Sequence, residues 1–171
     1  MNDDYGSEHT LDGRYYPLEA HFVHYSCDYG DIDSALTAYS SGDLVQYDDD
    51  NVLAVVGVLF EIGTENPAIT SILTSVNDQS IEKFDIEDLI PENEEFIGYK
   101  GSLTTPPCYE TVRWHVMTNT VAISQQQLEE FRGIETDSSH SIAPNYRSIQ
   151  PLNDRILYQC EDDIDNDSED D

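Results

Sequence analysis

The hydrophobic and polar positions of the chain follow patterns that predict three strands. Residues 16–26, YPLEAHFVHYS, alternate in the manner of a strand with one face turned to the core. Residues 52–63, VLAVVGVLFEIG, form an unbroken aliphatic run, which is typical of a strand buried on both faces. A further strand is predicted within ETVRWHVMTNTVAIS, where large apolar side chains recur at every second position.

Two other segments have the spacing of short helices. In NPAITSILTSVND, apolar residues recur at intervals of three and four after an Asn-Pro start. SQQQLEEFRGI begins at Ser124 and carries Gln127 three residues later, which predicts a capping box. The segment from Cys27 to Asn51 is rich in turn residues and is predicted to be a loop, and residues 86–102 are predicted to run from a loop into a strand. The balance predicts a mixed, β-dominated α+β fold.

Composition favours one domain with an unusual charge. The chain has 171 residues, of which 38% are hydrophobic, and this is enough for one core. Seven Lys+Arg against 36 Asp+Glu give a net charge of −29, which excludes nucleic acids and anionic membranes as partners and leaves cations and mineral surfaces. No apolar run is long enough for a membrane span. We predict a folded domain over residues 1–157 and an acidic, disordered tail over residues 158–171.

Alternation along the first strand separates its two histidines. Glu19, His21 and Val23 lie on one face, whereas Phe22 and His24 lie on the other, so the two imidazoles cannot bind the same ion. His21 has a carboxylate on its own face, and Glu19 can accept the second ring N–H of a metal-bound imidazole. A pair of structural histidines satisfied by hydrogen bonds is the alternative that these residues leave open.

Three separated segments resemble the α-class carbonic anhydrases. They are GSEHTLDGRYYPLEAHFVH, VLAVVGVLFEIG followed by NPA, and YKGSLTTPPCYETVRWHV, and NYRSIQPLNDR is similar to the C-terminal end of the family. The resemblance covers roughly residues 6–156. It implies a central, largely antiparallel twisted sheet with short peripheral helices, and a protein that, when complete, reversibly hydrates CO₂ to bicarbonate with Zn²⁺.

The resemblance also assigns roles to individual residues. Members of the family hold zinc with three histidines, and His21 matches the third, with Glu19 as its hydrogen-bond partner. Thr104 and Glu8 match the pair that orients the attacking water, and Thr105 matches a residue on the substrate side. The backbone N–H of Thr104 would receive bicarbonate. The apolar wall for CO₂ is assigned to Val23, Val55, Leu103, Val112 and Trp114.

Two of the three zinc ligands are absent from the sequence. The family carries them on a strand that precedes residues like MNDDYGSEHT, so we expect Met1 to be an internal residue of an N-terminally incomplete chain. With one ligand of three, the 171-residue chain alone is expected to be inactive.

The three cysteines and three of the histidines are assigned no part in catalysis. Cys108 follows two prolines as in secreted family members, in which this cysteine pairs with an upstream partner, and it is therefore a disulfide candidate. Whether Cys27 and Cys160 pair with each other stays open. Three of the five histidines, His24, His115 and His140, are interpreted as structural or solvent-exposed.

The acidity distinguishes the chain from ordinary family members. An acidic carbonic anhydrase domain most resembles the nacrein-like proteins of the mollusc shell matrix, which join bicarbonate supply to calcium binding. That resemblance implies Ca²⁺ and calcium carbonate mineral as partners, and secretion into an extracellular shell matrix. Two alternatives stay open: a salt-adapted acidic carbonic anhydrase of a halotolerant organism, and a non-catalytic carbonic anhydrase-related matrix or binding protein.

Overall fold

The computed structural model describes residues 5–43, 52–80, 83–135 and 142–160, which form a six-stranded sheet with three helices. The β-dominated mixed fold predicted from the sequence is confirmed. The strands are β1 (Leu18–Tyr25), β2 (Leu53–Ile62), β3 (Phe96–Gly101), β4 (Val112–Met117), β5 (Val121–Ile123) and β6 (Tyr158–Cys160). The helices are α1 (Ile32–Ser41), α2 (Pro67–Asp78) and α3 (Gln125–Arg132).

The strand order across the sheet is β1-β2-β4-β3-β6, and β5 pairs with the far end of β2. The pairs β1/β2, β3/β4 and β3/β6 are antiparallel, whereas β2/β4 and β2/β5 are parallel. Within the described ranges, β1 is therefore the outer strand at one edge of a mixed sheet and β6 is the outer strand at the other edge.

The two faces of the sheet carry separate hydrophobic clusters, because successive side chains on a strand point to opposite faces. The cluster that we call the helix-side core joins the sheet to α2 and α3 and consists of Val58, Phe60, Ala68, Ile69, Leu73, Leu89, Met117, Val121, Ile123 and Leu128. The cluster that we call the site-side core lies on the opposite face and consists of Tyr16, Ala35, Val52, Leu53, Val55, Leu59, Val112, Trp114 and Val116.

The two predicted helices begin where the sequence places their caps. Asn66 precedes α2, and its Oδ1 accepts hydrogen bonds from the backbone N–H groups of Ala68 and Ile69 at 3.0 and 3.2 Å. Ser124 and Gln127 form the predicted capping box of α3. The Gln127 amide also donates to the backbone carbonyl of Asn66 at 2.7 Å, so the starts of the two helices are joined.

The prediction of a loop from Cys27 to Asn51 was wrong over Ile32–Ser41, which form α1. Asp31 caps this helix by accepting a hydrogen bond from the backbone N–H of Ser34 at 2.7 Å, and a left-handed Gly42 ends it. The helix buries Ala35 completely in the site-side core. Residues 44–51 lie outside the described residues.

Two further boundaries differ from the sequence-based ones. The segment ETVRWHVMTNTVAIS contains two strands rather than one, since β4 ends at Met117 and β5 begins at Val121. The predicted acidic tail starts at residue 158, but Tyr158–Cys160 pair with β3 as β6, and residues 161–171 lie outside the described residues. None of the described helices is long and apolar enough to cross a membrane.

Candidate functional site

Strand β1 presents Glu19 and His21 on the face of the site-side core. The Oε1 atom of Glu19 lies 2.8 Å from Nε2 of His21. The other ring nitrogen, Nδ1, lies 4.0 Å from Oε2 of Glu8. A carboxylate can only accept, so Nε2 carries the hydrogen and donates it, and in the neutral ring Nδ1 keeps its lone pair.

Glu19 is the centre of the hydrogen-bond network. Its Oε2 accepts the backbone N–H groups of Glu8 and His9 at 2.8 and 2.9 Å, and its Oε1 lies 2.6 Å from Nδ1 of His9. The side chain is only 2% exposed. Burial alone would raise the pKa of this carboxyl, but hydrogen bonds from His21 and His9 outweigh it and hold the pKa well below its usual range. Glu19 is therefore a carboxylate at neutral pH and orients both imidazoles.

His9 is a member of the network that the sequence did not predict. Its Nδ1 donates to Glu19, so in the neutral ring Nε2 accepts, and the Tyr99 hydroxyl lies 2.6 Å from it. Burial raises the pKa of Tyr99 to about 12, and the hydroxyl therefore keeps the hydrogen that it donates. The only signal in the sequence is that His9 follows Glu8, and nothing in its spacing connects it to Glu19 or Tyr99.

The Trp114 ring and Gly57 shape the space around the two imidazoles. His9 and His21 lie edge-on to the indole with ring centroids 4.7 and 4.8 Å away. Gly57 is the Cα partner of His21 across β1 and β2. A Cβ at Gly57 would lie 3.0 Å from Oε1 of Glu19 and 3.7 Å from the indole, so the absence of a side chain there makes room for the carboxylate.

Glu8 and Thr104 lie on the wall of one cavity of about 690 Å³, which His9 and Tyr99 also line. The Oε1 atom of Glu8 accepts the backbone N–H of Arg147 at 2.7 Å. This bond holds the Glu8 carboxylate in place at the cavity wall. The relay between Thr104 and Glu8 stays a prediction.

The residues assigned to an apolar wall are buried to different extents. Val23, Val55 and Trp114 are successive Cα partners across β1, β2 and β4. Val55 and Trp114 are each 2% exposed, and Val112 is fully buried beside them. Val23 is 45% exposed, because β1 is the outer strand, so a dry wall at this position requires a neighbour beyond β1. Leu103 packs against the site-side core, and Thr105 is exposed.

The three cysteines are free thiols in this structure. Cys27 and Cys160 are exposed and are not joined, so the disulfide that the sequence left open between them is not formed. Cys108 is half-buried in a turn with φ of 59°, and its pairing with an upstream cysteine stays a prediction.

The two other histidines that the structure describes, His24 and His115, lie away from the network. His24 is exposed on the opposite face of β1, and His115 is half-buried with its ring 4.9 Å from that of Phe96. His140 lies outside the described residues.

Comparison with known proteins identifies relatives along nearly the whole chain. Residues 1–161 match the family model of the eukaryotic-type carbonic anhydrases. Human carbonic anhydrase 12 is 35% identical over 92% of this chain and 46% of its own length. The putative carbonic anhydrase 3 of Caenorhabditis elegans is 35% identical over 91% and 58%, and mouse carbonic anhydrase 1 is 33% identical over 91% and 60%. The chain thus spans about half the length of the curated relatives it matches.

Proposed function

Because the chain belongs to the eukaryotic-type carbonic anhydrase family, we propose that His21 is one of three histidine ligands of a catalytic zinc ion in the complete protein. The observation that carries this proposal is the 2.8 Å contact between Oε1 of Glu19 and Nε2 of His21. It leaves Nδ1 as a neutral imidazole donor, and zinc-binding histidines usually have such a carboxylate partner on the second nitrogen. The other two ligands would come from a part of the protein outside this sequence.

The proposed reaction is the reversible hydration of CO₂ to bicarbonate. Zinc, when bound, supplies a water that ionises near neutral pH. The Thr104 hydroxyl donates its hydrogen to Glu8, and its Oγ1 can then only accept, which orients the attacking water toward CO₂. The shared cavity and the bond from Arg147 that fixes the Glu8 carboxylate support this assignment.

The remaining assignments concern substrate and product. CO₂ is apolar, and its apolar wall is assigned to Val23, Val55, Leu103, Val112 and Trp114, of which Val55, Val112 and Trp114 belong to the site-side core. Thr105 faces the substrate side, and the backbone N–H of Thr104 receives the bicarbonate product.

The ligand assignment is tested by His21→Ala in the complete protein. We expect the loss of stoichiometric zinc, measured by elemental analysis, together with the loss of CO₂ hydration measured by stopped flow. His24→Ala is the matched control, because His24 lies three residues away on the opposite face and should leave both unchanged. Unchanged zinc content and rate in His21→Ala would contradict the proposal.

Thr104→Ala tests the orientation of the attacking water without removing a zinc ligand. The variant should keep its zinc but turn over on the order of a hundredfold more slowly, because the attacking water loses its acceptor. Thr104→Ser retains a hydroxyl and should recover most of the rate. If Thr104→Ala hydrated CO₂ at the parent rate, Thr104 would have no role in orienting the attacking water.

The acidity supports a second part of the function, in which bicarbonate supply is coupled to calcium binding in a secreted shell-matrix protein. Eight of the eleven residues Glu161–Asp171 are Asp or Glu. Crowded carboxylates without basic neighbours suit Ca²⁺, which accepts a variable number of oxygen ligands, at a weak affinity on the order of 10⁻⁴–10⁻³ M. Such a protein would alter the growth of calcium carbonate crystals.

Calorimetric titration with calcium, beside melting curves against sodium chloride, tests this second part. A matrix protein should bind several calcium ions in physiological salt, and deletion of Glu161–Asp171 should reduce this binding without changing hydratase activity. A salt-adapted enzyme should instead unfold at low salt and be restored equally by sodium or potassium. The absence of calcium binding, together with strong dependence on monovalent salt, would contradict the shell-matrix proposal.

A further inference from the structure

Arg155 is a half-buried cation beside the candidate site. Among residues 151–160 it alone is half-buried, and the others are exposed. Its side chain donates hydrogen bonds to the backbone carbonyl of Pro151 at 2.8 Å and to that of Leu152 at 3.0 Å. The backbone N–H of Arg155 also donates to the Leu152 carbonyl, at 3.2 Å, and closes the same turn. The turn therefore holds the guanidinium group in place.

The guanidinium group of Arg155 lies over the ring of Tyr99. Its central carbon is 5.2 Å from the ring centroid, which is within the range of a cation–π contact. Burial raises the pKa of Tyr99, and the positive charge of Arg155 offsets part of this rise, so the charge acts on the hydroxyl itself. Arg155 thus contacts the tyrosine whose hydroxyl lies 2.6 Å from Nε2 of His9.

The guanidinium group restricts the direction in which the Tyr99 hydroxyl donates. A guanidinium group has five N–H donors and no acceptor, so the hydroxyl cannot donate to it. The hydroxyl hydrogen is left to His9, whose Nε2 accepts it. In the neutral ring the remaining hydrogen is then on Nδ1, which donates to Oε1 of Glu19 at 2.6 Å. The cation thus favours the tautomer of His9 that can donate to the Glu19 carboxylate.

We propose that Arg155 is a positioning residue for His21. It acts through a chain of three contacting side chains, namely Tyr99, His9 and Glu19. Oε1 of Glu19 accepts hydrogen bonds from both His9 and His21, so a weaker bond from His9 loosens the carboxylate that orients His21. The effect of Arg155 on zinc rests on the proposed role of His21 as a zinc ligand.

The segment that carries Arg155 contacts the network at a second point. The backbone N–H of Arg147 donates to Oε1 of Glu8 at 2.7 Å. Glu8 and His9 are adjacent, and the backbone N–H groups of both donate to Oε2 of Glu19. Residues 147–155 therefore support two consecutive residues of the network, one from each end of the segment.

The ring nitrogens of His9 test this chain of contacts without any metal. In the complete protein stripped of zinc, ¹⁵N NMR at neutral pH measures whether Nε2 of His9 accepts a hydrogen bond. Tyr99→Phe should move the Nε2 signal toward that of an imidazole nitrogen with no partner. Arg155→Gln should move it in the same direction, because the Gln carbonyl offers the hydroxyl another acceptor. Arg155→Lys keeps the charge, has no acceptor and should leave the signal near the parent value.

The zinc dissociation constant measures whether the effect reaches His21. Tyr99→Phe and Arg155→Gln should each weaken zinc binding on the order of fivefold, as for one ordinary hydrogen bond, against roughly 10–100-fold for a direct partner of a zinc ligand. In the Tyr99→Phe background, Arg155→Gln should add nothing, because the hydroxyl on which it acts is gone. Arg14→Gln is the matched control: its guanidinium lies 4.9 Å from the Tyr16 ring centroid, and its loss should change neither measurement.

Three outcomes overturn the proposal: an unchanged His9 signal in a folded Arg155→Gln variant, an Arg155→Lys signal that moves as in Tyr99→Phe, or additive effects of Arg155→Gln and Tyr99→Phe. Additive effects would show that Arg155 only closes its own turn. A shifted His9 signal with unchanged zinc affinity also overturns it, provided that His21→Ala has lost its zinc. If His21→Ala keeps its zinc, the proposed ligand fails, and the His9 signal still decides whether Arg155 acts through Tyr99.

Discussion

The buried side chains on the two faces of the sheet are stabilised by different interactions. The helix-side core is entirely apolar, and it gains stability in proportion to the surface that Phe60, Ile69 and their neighbours remove from water. The site-side face places a carboxylate and two imidazoles against Trp114. The first arrangement favours the folded state by itself, whereas the second is tolerated only because its polar groups satisfy one another.

This difference follows from the cost of burying a charge. A buried ionised carboxylate is strongly unfavourable unless it is fully hydrogen-bonded, and Glu19 accepts four hydrogen bonds between 2.6 and 2.9 Å. Among the residues that the structure describes, no buried side-chain nitrogen or oxygen lacks a partner. The stability of the site-side face therefore depends on whether every polar group in its hydrogen-bond network has a partner. The stability of the helix-side core depends on how completely apolar side chains fill its volume.

Phe60→Ala should lower the stability of the fold more than the loss of the Glu19 charge on the site-side face. Phe60 is fully buried at the centre of the helix-side core, and removing its ring leaves a cavity that costs about 3–5 kcal/mol of unfolding free energy. Urea denaturation measures the loss. Phe84→Ala is the control, since this phenylalanine is 45% exposed and should change little. A loss below about 1 kcal/mol would show that the helix-side core is not the main source of stability.

Glu19→Gln should cost less, about 1–3 kcal/mol at neutral pH, and its cost should depend on pH. The folded state lowers the pKa of Glu19 below the unfolded value of 4.5, so the carboxylate stabilises the fold above that pH. As the pH falls below 4.5, the contribution is lost. The difference between the parent chain and the variant should therefore shrink on acidification, as measured by urea denaturation at several pH values.

The matched control for this acid dependence is Glu130→Gln. Glu130 is exposed on α3 and its side chain accepts a hydrogen bond from Gln126, so Glu130→Gln should differ little in stability from the parent chain. A constant difference for Glu19→Gln across the same range would show that the carboxylate charge is not what stabilises the network.

Asn66→Ala should have the smallest effect, about 1 kcal/mol, because it removes the cap of α2 and leaves the apolar volume of the helix-side core unchanged. Thermal unfolding of the variant beside the parent chain measures the cap together with the 2.8 Å hydrogen bond that Asn66 Nδ2 donates to the Asp88 carbonyl. Equal stability of Asn66→Ala and the parent chain would contradict it.

The elements that could be predicted from the sequence are those specified by patterns among neighbouring residues. Strands β1 and β2 follow from alternation and from an aliphatic run, and the caps of α2 and α3 are readable from Asn66 and Ser124. Helix α1 was missed because its sequence, IDSALTAYSS, is rich in Ser and Thr, has glycines nearby on both sides, and fully buries a single residue, Ala35. Its position depends on packing, and packing has no local signal.

The candidate site was predicted in part for the same reason. Glu19 and His21 are two residues apart on one strand, so alternation alone places them together. Tyr99 lies 90 residues from His9, and β2 and β4 separate β3 from β1 in the sheet, so the segment before β1 makes this contact and strand pairing does not. Contacts of this kind depend on tertiary structure, which the spacing of residues in a single sequence does not encode.

Gly57 limits which mutations β2 tolerates. Glycine has a low strand propensity, so propensity alone would predict that a β-branched residue in the middle of β2 stabilises the strand. Any Cβ at this position would instead press on the Glu19 carboxylate, so in a saturation library selected for the site we expect even Gly57→Ala to be depleted. At the end of the same strand, Glu61 and Ile62 are exposed and should accept most replacements. The depletion of substitutions at Gly57 would thus measure how much the Glu19 network tolerates. Depletion at Glu61 would measure little beyond effects on solubility.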